Sequence, residues 1–342
     1  MLVVKRLLII FILFWGLLAL AVRSMTPLIG DWRPQIETAV GDRLGTPISI
    51  GSIEARWYGL QPLVELSSIT LGAGDEALSI DRAMIELSPL GVGKVLLGQG
   101  KDALTDGIRL TLDGLAVTVV READDRIHLG GLGPIGGGPD ASTPLPPPHH
   151  LQLINTEVLW IDRKRALPPV SVPKVAVHLV RDGTDLAIRA RVESDAGHAD
   201  ASARLSGYLG TTDWSGESYI HATNLDAARL FAPYLPEHYG LRRLKLNIET
   251  WTRWDGAVPV HSQGELGLRD LRLETPGDDD SDLLIEAASA DFSLTRQSGA
   301  PFRLGLRQLR VAMPDRVWPK TDIALSLWRG DAGFSLDLYA EH

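Results

Sequence analysis

Six segments of the chain share one spacing of apolar residues, in which a strand-like alternation pauses over two consecutive residues and then resumes. In "LGLRDLRL" (266–273) the pause falls at Arg269 and Asp270. Strand side chains alternate between two faces, so one extra residue sends every later side chain to the opposite face unless the strand bulges there. The spacing therefore predicts bends that keep the apolar side chains on one face. The other five segments are 48–55, 64–71, 78–85, 110–117 and 304–311.

Tight hairpins are the alternative explanation of these pauses. The pair Asp113-Gly114 suits a type I′ turn. The other paused pairs are Gly-Ser, Ser-Ser, Asp-Arg, Arg-Asp and Arg-Gln, which are poorly suited to the positive φ angles of such turns. Most of the flanking arms are also only three residues long. These features favour bulges or kinks within strands over hairpins.

Helical periodicity is confined to short segments. The segment "DWRPQIETAVGDRLG" (31–45) places Ile36, Val40 and Leu44 on one helical face and stops at a glycine. A second short helix is predicted within "NLDAARLFAPYLPEHYG" (224–240), opened by its Asn or Asp and ended before the first proline. Most other segments alternate with the period of strands, so the fold is expected to be mainly β.

The N-terminus carries the clearest single signal. An uncharged run from Leu7 to Val22 lies between Lys5-Arg6 and Arg23. As a helix it is about 24 Å long, close to the thickness of a bilayer core once the flanking cations reach the interface. The excess of positive charge before the run predicts a single-pass anchor with a cytoplasmic N-terminus. The expected anchor residues are Leu7, Phe11, Phe14, Trp15, Leu18 and Val22.

A cleaved secretory signal is the alternative interpretation of this run. The segment "ALA" at 19–21 is a plausible small-residue cleavage site. The length of the run and the bulky residues near its end favour the uncleaved anchor. Both interpretations export the rest of the chain.

The composition excludes several classes of protein. The chain has 342 residues and a formal net charge of −9, and no basic stripe dominates any segment, so a nucleic-acid partner is not expected. It has no cysteine, which excludes disulfides, iron–sulfur clusters, thiol nucleophiles and lipoprotein acylation.

No motif predicts catalysis, a metal or a cofactor. His149 and His150 follow a proline run and have no further ligand at metal-binding spacing. The "GGGP" segment lacks the Lys-Ser/Thr pair of a phosphate loop. Trp160 and Asp162 resemble a sugar-stacking aromatic beside an acid, but no second carboxylate is near them in sequence. The chain is therefore not expected to be an enzyme.

The one-sided apolar face of the strands is the remaining functional feature. It must be covered by a second sheet, by helices or by an apolar ligand, and too few helices are predicted to cover it. Bent strands would curl the sheet into a trough that suits acyl chains, whereas a closed sandwich is the alternative. The two strands "LGLRDLRL" and "LGLRQLRV" are expected to be neighbours in this trough. The candidate lipid-binding residues are Leu205, Leu244, Leu246, Leu266, Leu268, Leu271, Leu273, Leu304, Leu306, Leu309 and Val311.

The sequence predicts four parts. They are a cytoplasmic N-terminus with transmembrane anchor (1–24), a β module with a collar helix (25–132), a Pro/Gly-rich linker or loop (133–149) and β-groove repeats (150–342). Within the last part, "WSGESYIHATNLDAA" resembles the C-terminal "GDAGFSLDLYAEH", so we expect the chain to end inside a repeated module.

The order of these segments resembles the AsmA-like family of bacterial inner-membrane proteins. The resemblance rests on the anchor followed by "DWRPQIETAVGDRLGTPISIGSIEARWYGLQPLVELSSITL", and on "RLTLDGLAVTVVREADDRIHLGGL", "LQLINTEVLWIDRKRALPPVSVPKVAVHLV" and "SGESYIHATNLDAARLFAPYL". It implies an anchor in the inner membrane and an elongated, strongly curved antiparallel β-sheet in the periplasm, a taco-like groove similar to those of bridge-like lipid-transfer proteins.

The resemblance also implies a function. The groove would carry phospholipid between the inner and outer membranes, with outer-membrane or periplasmic proteins as further partners. Family members of this type are over a thousand residues long, so this chain corresponds to the first portion. The alternative is a periplasmic scaffold or assembly factor for outer-membrane biogenesis with a self-packed β interior, and an enzyme acting on envelope glycans comes third. The family supplies no catalytic residues.

Overall fold

The chain forms two compact units, Met1–Ala166 and Leu167–His342, which we call unit 1 and unit 2. The internal boundary expected at the Pro/Gly-rich stretch 133–149 stays a prediction. The computed structural model describes residues 32–58, 61–74, 77–88, 108–124, 127–130, 133–134, 149–164, 168–194, 196–207, 214–228, 240–256, 258–274, 282–296, 302–330 and 333–341.

Unit 1 contains one helix and seven strands in its described part. Strands β1 to β4 form an antiparallel meander, β5 and β6 extend it from the end of β4, and β7 pairs with β4 in parallel. The elements are α1 (Arg33–Leu44), β1 (Ile48–Tyr58), β2 (Gln61–Leu71), β3 (Leu78–Leu87), β4 (Ile108–Arg121), β5 (Ile127–Leu129), β6 (Gly133–Pro134) and β7 (His150–Asp162).

Helix α1 confirms the helix predicted over 31–45 and is fastened to the first strand. A proline lies in its first turn, and Gly45 ends it in the left-handed conformation (φ 64°). The carboxylate of Glu37 accepts the backbone N–H of Ile50 at 2.7 Å, and Arg33 donates to the carbonyl of Gly51 at 2.9 Å. Helix and strand are therefore held by polar contacts to backbone groups as well as by packing.

Unit 1 has a closed apolar core. The side chains of its meander meet on one face, where Ile50 is 1% exposed and Ile69 is 4% exposed. Ile36 and Leu44 of α1 pack against this cluster. The remaining buried members are Ile53, Leu71, Leu78, Ile80, Ala83 and Leu115.

Unit 2 is an antiparallel meander in which each strand pairs with the next. The strands are β8 (Val170–Asp182), β9 (Asp185–Ser194), β10 (Gly197–Ser206), β11 (Ser215–Asp226), β12 (Gly240–Asp255), β13 (Val258–Glu274), β14 (Leu283–Thr295), β15 (Phe302–Ala312), β16 (Val317–Gly330) and β17 (Gly333–Glu341). The expectation of a mainly β protein is confirmed.

Each of the six paused segments lies inside a single strand, so the hairpin alternative is wrong even for Asp113-Gly114. In four of them the second residue of the pause adopts a positive φ: Ser68 (53°), Gly114 (68°), Asp270 (54°) and Gln308 (51°). A single left-handed residue bends the strand and allows the alternation to resume on the same face.

The neighbouring strands accommodate the pauses in two ways. At Asp270 of β13 the register with β14 is the same on both sides of the pause, whereas the register with β12 shifts there. Across β15 the register shifts beside Gln308 with both neighbours, which is a bulge. Both forms were predicted, and the sequence spacing does not distinguish them.

One further expectation is corrected, because strands β13 and β15 are not neighbours: β14 lies between them and pairs with both. The second predicted helix begins at residues 227–228 in the described part, directly after Asp226, the last residue of β11. This start agrees with Asp226 as the opening residue of the helix.

The anchor at 1–24, most of the stretch 133–149 and residues 229–239 lie outside the described residues. Within the described ranges, no helix has the length and apolar character needed to cross a membrane.

Candidate apolar binding face

The apolar side chains of unit 2 stand opposite one another across the strands. Leu268 of β13 lies opposite Leu246 of β12 and Ala288 of β14, and Ala288 lies opposite Val311 of β15. Register and alternation place these residues on one side of the meander, which we call the apolar face, and the charged side chains on the other, which we call the polar face.

The kinks keep the predicted residues on the apolar face. In β13 the four candidate leucines are partly buried, whereas Arg269, Asp270 and Arg272 are exposed. In β15 the four candidates are likewise partly buried, whereas Arg307 and Gln308 are exposed. The expectation that these side chains share a face is confirmed, and their contact with lipid remains a prediction.

The other three candidates lie on earlier strands of unit 2. Leu205 is partly buried in β10, opposite Leu186. Leu246 is partly buried opposite Leu268, and Leu244 is partly buried where the register of β12 shifts. The candidate residues therefore extend over β10, β12, β13 and β15 and do not converge on one compact pocket.

The apolar face of unit 2 is much less buried than the core of unit 1. Among the described residues of unit 2, the only buried apolar side chains are those of alanines: Ala222, Ala227, Ala228 and Ala290. Larger side chains on this face stay accessible, as shown by Ile220 (39% exposed) and Trp318 (47% exposed). Exposed contiguous apolar surface of this kind marks ligand-binding grooves or interaction sites.

A short band of hydroxyl groups interrupts the apolar face. Thr250 and Thr252 of β12 both contact the Ser262 hydroxyl, at 3.0 and 2.8 Å, and all three residues are buried. Beside them, the Trp254 indole N–H donates to the Ser218 hydroxyl at 2.8 Å. This band was not predicted from the sequence, although the alternating Thr and Trp of "TWTRW" (250–254) were its signal.

Two cavities of unit 2 open on the polar face. One has a volume of about 430 Å³, and its lining includes three carboxylates of β12 to β14, those of Glu249, Glu265 and Asp291. The other, of about 820 Å³, lies over β9 to β13 and is lined by Tyr219 and Trp251 together with charged side chains. Both cavities are concave but widely open to solvent.

Of Trp160 and Asp162, the candidate sugar-binding pair of the sequence, Asp162 occupies a structural position. Asp162 is 2% exposed, and its carboxylate lies 3.5 Å from the Arg121 guanidinium of β4. A buried charge of this kind requires such a partner. Within the part of the chain that the structure describes, no three His, Asp or Glu side chains cluster as metal ligands would.

Comparison with known proteins places the chain in a family. A family model described as the YhdP protein matches residues 1–342. The chain belongs to the YhdP family. The AsmA-like resemblance inferred from segment order is thereby confirmed, and the apolar face is a feature of a YhdP-family chain. No curated protein and no solved structure matches it.

Proposed function

We propose that unit 2 binds the acyl chains of phospholipid along its apolar face, and that the chain serves lipid transfer between the inner and outer membranes. The observation that carries the proposal is the continuous register of partly buried aliphatic side chains, from Leu246 through Leu268 and Ala288 to Val311. Such a row of aliphatic side chains can pack against an acyl chain through apolar contacts alone, which have no preferred direction.

The difference between the two units supports this proposal. Unit 1 buries its equivalent side chains, with Ile50 and Ile69 almost inaccessible, as in an ordinary core. Unit 2 leaves the larger ones open, so burying them under an acyl chain gains about 25 cal/mol for each Å² removed from water. Membership of the YhdP family supports the same role.

We further propose that the chain is an inner-membrane protein with a single anchor at 1–24 and its bulk in the periplasm. The flanking Lys5, Arg6 and Arg23 support this orientation through the excess of positive charge on the N-terminal side. The phospholipid would enter the apolar face from the inner membrane.

A photo-crosslinker at Leu268 tests the lipid contact directly. The matched control is a crosslinker at Arg272 of the same strand, which is exposed on the polar face. We expect phospholipid to be captured at Leu268 alone in membranes, as read by mass spectrometry of the purified adduct. Equal capture at both positions, or none at Leu268, contradicts the proposal.

The variant Leu268→Asp separates an open face from a closed core. A carboxylate on an open face is solvated by water, so the thermal midpoint should change little, whereas in a dry core it should unfold the unit. The same carboxylate should reduce the amount of co-purified phospholipid. A fold that collapses, together with no lipid captured at Leu268, would favour the alternative of a periplasmic scaffold with a self-packed interior.

A further inference from the structure

The larger cavity on the polar face of unit 2 combines cations with an exposed aromatic pair. Tyr219 of β11 and Trp251 of β12 lie opposite each other, with ring centroids 5.0 Å apart and an interplanar angle of 43°. Trp251 is 47% exposed. The cavity is also lined by Arg189, Arg204 and Arg253.

These three arginines lack the carboxylate partners that hold some of the other arginines of unit 2. Arg191 is held by Asp200 at 2.7 Å and Arg242 by Glu274 at 2.7 Å. The three guanidinium groups of the cavity have no carboxylate within 4.0 Å among the described residues. Their positive charges are therefore not neutralised by direct ion pairs, although the cavity lining also includes the Glu217 carboxylate.

The register brings two of the cations to the two sides of one strand. Arg204 of β10 and Arg253 of β12 both lie opposite Glu217 of the intervening β11. Their backbones are about 10 Å apart, given the ordinary strand spacing, so both guanidinium groups can reach one group above β11. Glu217, the only carboxylate among the described residues of the cavity lining, would oppose an anion there.

Beside the arginines, the cavity offers partners for a polar ring. Ser202, Gln263 and His261 lie in its lining around Trp251. An indole packs against the C–H face of a sugar ring, while hydroxyl, amide and imidazole groups bond to the hydroxyls at its edge. Guanidinium groups bind phosphate oxygens in a bidentate manner. The volume of about 820 Å³ falls within the range of small-ligand sites.

We propose that this cavity binds a phosphate ester of a polyhydroxylated ring, such as a sugar phosphate. Arg204 and Arg253 hold the phosphate, and Trp251 supports the ring. The site lies on the face opposite to the one assigned to acyl chains, so it goes beyond the proposed function and does not depend on it. The source of the group is either a free sugar phosphate or the headgroup of a lipid.

Isothermal titration of the full chain in detergent, at low ionic strength, tests this site. The probes are glucose 1-phosphate, glucose, inorganic phosphate and, for a lipid source, phosphatidylinositol in mixed micelles. We expect glucose 1-phosphate, the micellar lipid or both to bind more tightly than glucose and inorganic phosphate. Binding by the soluble probe indicates a free ligand, and binding by the micellar probe alone indicates a headgroup.

Variants distinguish the cavity from general charge attraction. Arg253→Gln should weaken binding about tenfold or more, because one charge-assisted pair of hydrogen bonds is lost. Glu217→Gln should strengthen binding, because it removes the carboxylate that opposes an anion. This gain in affinity can be measured even if Arg253→Gln lowers stability. Arg242→Gln, at a paired arginine outside the cavity, is the matched control and should have no effect.

Three results overturn the proposal. They are the absence of binding by both glucose 1-phosphate and micellar phosphatidylinositol, equal binding by inorganic phosphate, and binding that Arg253→Gln and Glu217→Gln leave unchanged.

Discussion

The backbone N–H of Gln308 in β15 donates a hydrogen bond of 2.7 Å to the carboxylate of Asp322 in β16. Gln308 is left-handed, with φ 51°, and stands where the register of β15 shifts. A second contact has the same form, because the N–H of left-handed Asn224 donates to the Asn247 side chain of the next strand at 2.7 Å. In both cases a side-chain oxygen accepts a backbone N–H close to a break in the regular hydrogen-bond pattern between the strands.

Substitutions at Gln308 should separate backbone strain from side-chain chemistry. Gln308→Val should destabilise unit 2 by about 1–3 kcal/mol, because a β-branched residue tolerates φ near 51° poorly. Gln308→Gly removes that cost and should stay within about 1 kcal/mol of the unaltered protein. Thermal unfolding of both variants measures the difference. Equal destabilisation by Val and Gly would show that the lost side-chain contacts, and not the backbone, are responsible.

The bends were predictable from the sequence, whereas their geometry was not. The pause at Arg269 and Asp270 predicts that the apolar side chains of β13 stay on one face, and the burial pattern confirms it. The pause is local information, since it reflects only the period of the strand. Whether the partner strand kinks in step or bulges depends on pairing. The sequence therefore did not reveal that β14 separates β13 from β15.

The glycines of β13 give a matched pair of substitutions. A Cβ on Gly264 would overlap the backbone carbonyl oxygen of Glu249 in β12, which cannot move without displacing that strand. Gly264→Ala should therefore destabilise unit 2 by roughly 1–3 kcal/mol. Gly267→Ala, whose Cβ would meet side-chain atoms of Asn247 at 3.7 Å, should be neutral or slightly stabilising. Thermal midpoints compare the two, and equal effects would mean that β12 and β13 are not packed as described.

The candidate site was predicted in part. Leucines such as Leu268 and Leu306 were found because aliphatic alternation signals a covered face. The hydroxyl band and the larger cavity on the polar face, which Arg253 lines, were not predicted. Each of them brings together residues of several strands, and a local sequence pattern does not give the register between strands. Trp251 and Arg253 lie two positions apart in sequence, but Arg204 reaches them only through two cross-strand pairings.

The contact between α1 and β1 should depend on pH through Glu37. The backbone N–H of Ile50, and next the hydrogen bond from Arg33, hold the pKa of Glu37 below its ordinary value of 4.5. A depressed pKa stabilises the fold above the pKa of the unfolded chain, and this contribution is lost as the pH falls through the folded value. Unit 1 should therefore lose stability from about pH 4.5 downward.

The variant Glu37→Gln isolates this contribution, since its amide oxygen still accepts the Ile50 N–H but carries no charge. Its stability at neutral pH should be lower than that of the unaltered protein, and its decline below pH 4.5 should be shallower. Urea unfolding between pH 3 and pH 7, roughly the range over which carboxylates titrate, measures both slopes. Parallel slopes would assign the acid sensitivity to other carboxylates.

The proposed topology is testable at β1, because a chain without cysteine accepts a unique thiol label. Ser52 is exposed, whereas Ile53 beside it is 8% exposed. In intact spheroplasts a membrane-impermeant maleimide should label Ser52→Cys strongly and Ile53→Cys weakly, because the folded strand hides the second thiol. The labelled protein should sediment with the membranes if 1–24 is an uncleaved anchor. Labelling of Ser52→Cys only after lysis would place unit 1 on the cytoplasmic side, and labelled protein in the soluble fraction would show that the "ALA" site is cleaved.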